Sequence, residues 1–373
     1  MTESQTTPSG AAVAEADLFA PVTLGRLELP NRVVMAPLTR RRATPEGVPT
    51  ASMARYYADR AGAGLIVAEG TYPSERAKTY LGQPGIATDE QVAGWRSVTD
   101  AVHERGGRIV LQIMHGGRVA HLPDASSRDV VAPSPVAVEG ELVLPGQEPR
   151  PFVTPRELRT EEMPEVVEEL VAAARRAIEA GFDGVELHGA NGYLLNQFLA
   201  PGTNRRTDAY GGSPENRARL VVEVVRAVAA AVGADRTGLR ISPRQARSGL
   251  DETHAPEILE TYGSLVDQVA GLGLAYLSVL SDHPGCDLVQ ELRRRFGGPL
   301  LVNNGFDVVT THEIAAGLLA DDLGDAVVVG RLALANPDLV HRWREGGPLN
   351  TPDQQTFYAG GERGYNDYPF LTS

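Results

Sequence analysis

Among its 373 residues the chain has a single cysteine, Cys286, and a single lysine, Lys78. One cysteine excludes an intrachain disulfide, a Cys-only iron–sulfur cluster and a thiolate zinc site. Positive charge is also scarce: 35 Lys and Arg stand against 48 Asp and Glu, for a formal charge of −13. No run of basic residues offsets this, so nucleic acid and anionic membrane are excluded as expected partners. No apolar stretch approaches the roughly 20 residues that span a bilayer. Residues 1–16 are rich in Ser, Thr and Ala and lack the basic and apolar regions of a signal peptide, so a disordered tail is expected there. With 42% hydrophobic and 22% charged residues, composition is that of an ordinary globular protein. A cytoplasmic monomer or homodimer is the expectation.

Short apolar runs recur along the chain at 33–36, 65–68, 109–113, 184–187, 238–241, 275–279, 299–302 and 326–329. Each is bounded by Gly, Pro or polar residues, as buried parallel strands are. Between them lie segments of helical spacing at 164–180, 215–232, 256–270, 287–296, 312–319 and 336–344. Roughly eight strand–helix units predict an α/β fold, a single (β/α)₈ TIM barrel. A doubly wound sheet is the alternative, but no G-x-G-x-x-G follows the first strand. Residues 22–29 alternate around Gly25 and predict an N-terminal hairpin. The longest insertion, 116–160, follows the third strand and predicts a lid or hairpin over the barrel mouth. No linker signal divides the chain, so one domain over 17–373 is expected.

Chemistry in such a barrel sits where strands end. There the sequence places Thr39, Glu69, Gln112, His188, Asn191, Tyr193, Arg240 and Arg331. Each has a plain structural alternative: Thr39 or Asn191 as a helix cap, Gln112, Arg240 or His188 as a satisfied core polar group, Tyr193 as a packed aromatic. Stability alone does not require them all at the same ends of several strands. His188, Asn191 and Tyr193 lie within six residues at one strand-to-helix turn. Two N–H donors meeting at one oxygen polarise a carbonyl or nitro group, and a nearby phenol can protonate carbon. Asn303-Asn304-Gly305 and Gly330-Arg331, after the seventh and eighth strands, form the usual phosphate cradle of these barrels, open to any phosphorylated cofactor or substrate.

The motifs MAPLTR (35–40), LQIMHGGR (111–118), FDGVELHGANGYLLNQFLAP (182–201), NRRTDAYGGSPENRARL (204–220), LRISP (239–243), VVVGRLALANPDL (327–339) and FYAGGERGYNDYP (357–369) occur in one order. Together they make the chain resemble the Old Yellow Enzyme family of FMN-dependent ene-reductases from about Leu18 to the C-terminus. The resemblance implies noncovalent FMN, with NADPH or NADH as hydride donor and activated alkenes (enones, enals, maleimides, nitroalkenes) as acceptors in a ping-pong cycle. It implies Pro37, Leu38, Thr39 and Gly70 around the flavin, Gln112 on its pyrimidine edge and Arg240 beside N1 and O2. Asn304, Gly305, Gly330 and Arg331 would hold the phosphate. His188 and Asn191 would grip the substrate oxygen, Tyr193 would donate the proton, and Tyr80, Met114 and Tyr365 would line the substrate pocket.

Four positions depart from patterns found in the family. Met114 stands where some members carry Trp, Gly70 where Ala is common, Asn191 where some carry a second His, and Thr39 where others carry Cys. Other classes fare worse. A Schiff-base aldolase needs a lysine at a strand end, and Lys78 lies well into a loop. The dienoyl-CoA reductase type needs cluster cysteines and a further flavin domain. A silent scaffold barrel would have no use for His188, Asn191 and Tyr193 together.

Overall fold

The computed structural model describes residues 18–372 except 121, 123, 125–127, 144–147, 245–248, 251 and 360. The expected tail, 1–16, lies outside the described residues. The first element is a hairpin, β1 (Val22–Leu24) and β2 (Leu27–Leu29), paired antiparallel. Its turn uses Gly25 at φ 58°, where a side chain would also collide with the Asp235 carbonyl.

Strands β3 (Val33–Met35), β4 (Leu65–Thr71) and β5 (Ile109–Ile113) follow. Within the insertion, β6 (Val131–Ala132) pairs parallel with β9 (Arg156–Glu157), and β7 (Glu141–Leu142) pairs antiparallel with β8 (Arg150–Pro151). Then come β10 (Gly184–Gly189), β11 (Thr237–Ile241), β12 (Tyr276–Leu280), β13 (Leu300–Asn303) and β14 (Ala326–Val329). Eight parallel strands close in the order β3, β4, β5, β10, β11, β12, β13, β14 and back to β3. This is the (β/α)₈ barrel that the sequence predicts.

The alternation of each strand decides what faces where. Val33, Met35, Ile66, Ile109, Leu111, Val185, Leu187, Leu239, Ile241 and Val327 belong to the large cluster that packs under the helices. Their neighbours Val34, Leu65, Val67, Val110, Tyr276, Leu301, Ala326 and Val328 fill the barrel interior, which Leu24, Leu27 and Leu29 of the hairpin plug from one end. The same period carries Gln112, Glu186, His188 and Arg240 inward, nearer the strands' C-terminal ends, whereas the Glu69 carboxylate bonds the Arg40 and Arg41 N–H groups and the Tyr57 hydroxyl. Parallel register sets Gln112 opposite Glu186 and His188 opposite Arg240.

Surrounding helices start where their caps dictate. Asp89–His103 opens on a Thr88–Gln91 capping box, and Pro214–Val232 opens on Ser213 with Pro214 at its first position. The helix expected at 336–344 begins only at Leu339 and runs to Glu345, and a separate short helix, Arg331–Ala335, precedes it. Asn336 is extended because Pro337 follows it. No described helix is long and apolar enough to cross a membrane.

Candidate active site

The open end of the barrel holds a cavity of about 860 Å³. Its lining includes Pro37, Leu38, Thr39, Tyr80, Gln112, Met114, His188, Asn191, Tyr193, Arg240, Gly305, Gly330 and Arg331. Most site residues expected from sequence therefore meet in one place.

The turn after β10 is built to aim side chains. Asn191 adopts φ 59°, a left-handed conformation that Asn tolerates better than most residues. Its N–H donates to Ser242 Oγ at 2.8 Å, and the Gly192 N–H donates to Asn196 Oδ1 at 3.0 Å. Gln197 Nε2 donates to the Gly192 and Gly116 carbonyls. Asn191 is therefore no helix cap, and Tyr193, at the start of helix Leu194–Leu199, makes no side-chain cap either. Thr39 caps nothing, since its segment is irregular.

His188 Nδ1 and Asn191 Oδ1 are buried with no hydrogen-bond partner among the described residues, and both side chains belong to the cavity lining. Burial, and then the nearby Arg240 guanidinium, hold the His188 imidazole well below its ordinary pKa. It is neutral at pH 7. The Tyr193 ring lies 4.9 Å from the His188 ring, and its hydroxyl is 2.9 Å from that of Tyr80. Burial and the Tyr80 phenol push the Tyr193 hydroxyl well above its usual range, so it stays protonated.

One layer below, Gln112 Nε2 donates to the buried Glu186 carboxylate at 2.8 Å. Burial raises the Glu186 carboxyl, while Arg240 and Gln112 oppose that shift. Arg240 Nε is buried without a partner among the described residues. At the far side, Arg331 Nη2 donates to the Phe306 and Val308 carbonyls at 2.7 and 2.6 Å and so ties together the loops after β13 and β14. Gly305 sits at φ 83°, and a Cβ there would run into Asp282. A glycine-built cradle with an arginine suits a phosphate. An arginine with an unmatched N–H, beside a glutamine amide, suits the electron-rich pyrimidine edge of a flavin. These residues fit FMN.

Three expected positions lie elsewhere. Tyr365 is fully buried outside the cavity: its ring stacks on Tyr56 at 4.0 Å and 5°, with the Arg40 and Arg42 guanidinium carbons 5.0 and 4.8 Å from its centroid. It anchors the C-terminal segment, whose Gln354, Phe357 and Tyr358 reach the lining instead. Asn304 is buried and accepts from Thr310 Oγ1, while its neighbour Asn303, the inward residue of β13, lines the cavity. Gly70 is not in the lining; a Cβ there would come 2.7 Å from Met114 Sδ, so it acts on the cavity only through Met114.

Arg41, Val143, Val308 and Thr310 also line the cavity without having been expected. Arg41 directly follows the MAPLTR motif, and Phe357 and Tyr358 open FYAGGERGYNDYP, so adjacency was the available signal. Val143 comes from the insertion, which thus does reach the mouth.

Residues 17–350 match the NADH:flavin oxidoreductase / NADH oxidase family. A probable flavin mononucleotide-dependent alkene reductase of Leishmania infantum is 44% identical over 365 residues, covering 95% of this chain and 97% of the relative. The 12-oxophytodienoate reductase 1 of Oryza sativa subsp. japonica is 40% identical, with 97% and 95% covered. Among solved structures, morphinone reductase in complex with tetrahydroNAD superposes with a TM-score of 0.87 at 46% identity, covering 95% of this chain and 98% of that one. The Old Yellow Enzyme homologue of Zymomonas mobilis gives 0.88 at 38% identity, with 95% and 100% covered. The chain thus belongs to the NADH:flavin oxidoreductase / NADH oxidase family, as an FMN-dependent NAD(P)H oxidoreductase of the Old Yellow Enzyme type.

Proposed function

We propose that this enzyme reduces the C=C bond of enones, enals, maleimides and nitroalkenes in a ping-pong cycle, with acceptor and nicotinamide using the same cavity in turn. The observation that carries this is the meeting of an unpartnered neutral imidazole, an open amide and a protonated phenol beside Arg240. FMN, when bound, would supply the two-electron hydride chemistry between NAD(P)H and the alkene. Thr39, Gln112 and Arg240 would orient its ring system, and Gly305, Gly330 and Arg331 would hold its phosphate.

His188 donates through Nε2 and Asn191 through Nδ2 to the acceptor's carbonyl or nitro oxygen. Both donors are neutral and fixed before substrate arrives, so they stabilise the enolate charge as it develops. Loss of one such donor typically costs about 10²- to 10³-fold in rate. Tyr193 holds the proton delivered to the α-carbon. A raised phenol pKa keeps that proton in place until a carbanion-like centre forms above it.

The test uses para-substituted phenols, which should bind as phenolates over the flavin and give a long-wavelength charge-transfer band. His188→Ala and Asn191→Ala should each weaken that band and raise the dissociation constant. If both variants bind phenols as tightly as the parent, the two residues are structural and the proposal fails.

A further inference from the structure

Residues 40–42 are three successive arginines with separate destinations. Arg40 donates from Nε to the Phe357 carbonyl and from Nη2 to the Gly364 carbonyl. Arg42 donates to the Thr356 and Phe357 carbonyls. Both are consumed in fastening the C-terminal segment. Arg41 turns the other way, at φ 62°, with its N–H on the Glu69 carboxylate at 3.2 Å. A left-handed non-glycine residue at a cavity rim is a functional signal when the fold holds it there.

The Arg41 side chain lines the cavity. Nε donates to the Leu81 carbonyl at 3.0 Å, and the guanidinium carbon lies 5.7 Å from the Tyr80 ring centroid. Its two terminal nitrogens have no hydrogen-bond partner among the described residues. Tyr80 in turn touches Tyr193, so Arg41 stands one phenol ring away from the proposed proton donor along the cavity lining. The described lining holds three arginines, Arg41, Arg240 and Arg331, and no carboxylate, in a chain of net charge −13. Arg240 faces the flavin site and Arg331 the phosphate cradle, which leaves Arg41 as a positive charge with no task in the reading above.

We propose that Arg41 is an anion-binding residue of the mouth, gripping a carboxylate or phosphate carried by a ligand that lies over the flavin. The rigid guanidinium fork suits either oxyanion, and cationic walls concentrate anions. The inference rests on the proposed placement of substrate at His188 and Asn191, but its test separates the two. Two sources share this chemistry, an acidic acceptor and the phosphates of the nicotinamide dinucleotide.

The holoenzyme is titrated spectroscopically with ligands that perturb the flavin without reducing it. One pair is 4-hydroxybenzoate and its uncharged methyl ester; the other is tetrahydroNAD and the phosphate-free tetrahydronicotinamide riboside. Arg41→Gln should weaken the charged member of at least one pair about tenfold more than the neutral member, and Arg41→Lys should weaken it less. The discrimination should shrink as salt rises. An effect confined to the first pair assigns the acceptor as the source, and one confined to the second assigns the dinucleotide. Equal changes for charged and neutral members in both pairs would overturn the inference. Failure of the neutral ester to bind the parent would instead strike the His188 and Asn191 placement, leaving the dinucleotide pair to judge Arg41.

Discussion

The two ends of the barrel are built from opposite materials. At the closed end Leu24, Leu27 and Leu29 of the hairpin meet Val34, Leu65, Val110 and Leu301, all apolar and buried. At the open end stand Gln112, two residues beyond Val110 on β5, and Glu186, His188 and Arg240 of the neighbouring strands β10 and β11. Two of their polar atoms, His188 Nδ1 and Arg240 Nε, are buried without partners among the described residues. Buried polar groups are normally satisfied because an unmet one costs about 1–3 kcal/mol. The closed end therefore makes the fold stable, while the open end gives up stability to hold donors ready for a ligand.

The sharpest way to break that contrast is to damage the closed end. Leu24→Ala should lower unfolding free energy by about 2–5 kcal/mol, as large-to-small changes in packed cores do. Urea unfolding measures it. The flavin absorption spectrum and turnover per folded molecule should stay those of the parent, since Leu24 is not among the residues that line the cavity.

A second, smaller effect belongs to the open end and to pH. His115 follows β5, accepts the Gly117 N–H on Nδ1 at 3.0 Å, and is pushed by burial to a pKa of about 4. The unfolded ring titrates near 6.5. Folding thus favours the neutral ring: its contribution is complete above pH about 6.5 and is lost as pH falls from there toward 4. Relative to His115→Gln, the parent should lose about 1.4 kcal/mol of stability per pH unit across that window. Paired urea titrations at several pH values read this difference directly; a difference that does not vary with pH would mean the ring is not held neutral.

The smallest effect is expected at Gly70→Ala. The new methyl would meet the flexible Met114 thioether rather than backbone, so stability should change by only about 1 kcal/mol. Met114 should shift within the cavity, lowering kcat/KM for bulky enones relative to compact ones. An unchanged ratio would show that Met114 does not set the pocket wall.

Much of this was legible in the sequence because it was local. The apolar runs at 109–113 and 326–329 coincide with β5 and β14, and the hairpin turns at Gly25 as expected. β4 was under-read: its apolar run stops at Ala68, but the strand continues to Thr71 through a register shift, with the Glu69 carboxylate satisfied by the Arg40 and Arg41 N–H groups and the Tyr57 hydroxyl. Tyr365 was misplaced for a different reason. Its partners Tyr56, Arg40 and Arg42 are about 300 residues away in sequence, and no local pattern tells a pocket tyrosine from an anchoring one. Asn303 and Asn304 differ only by strand alternation at a strand's last residue, where a one-residue uncertainty exchanges inside for outside.

The central claim is that the open-end groups perform the reduction rather than merely fill the mouth, and Tyr193→Phe tests it most directly. The change removes one hydroxyl and its 2.9 Å contact with Tyr80 while keeping the ring. The two half-reactions are followed separately by anaerobic stopped-flow. Flavin reduction by NAD(P)H, which needs no proton from the protein, should proceed at close to the parent rate. Reoxidation by a cyclohexenone-type acceptor should slow by about 10²- to 10⁴-fold, and reoxidation by a nitroalkene, whose nitronate can be protonated in water, should slow less. Equal slowing of both half-reactions, or no slowing with the enone, would contradict the claim.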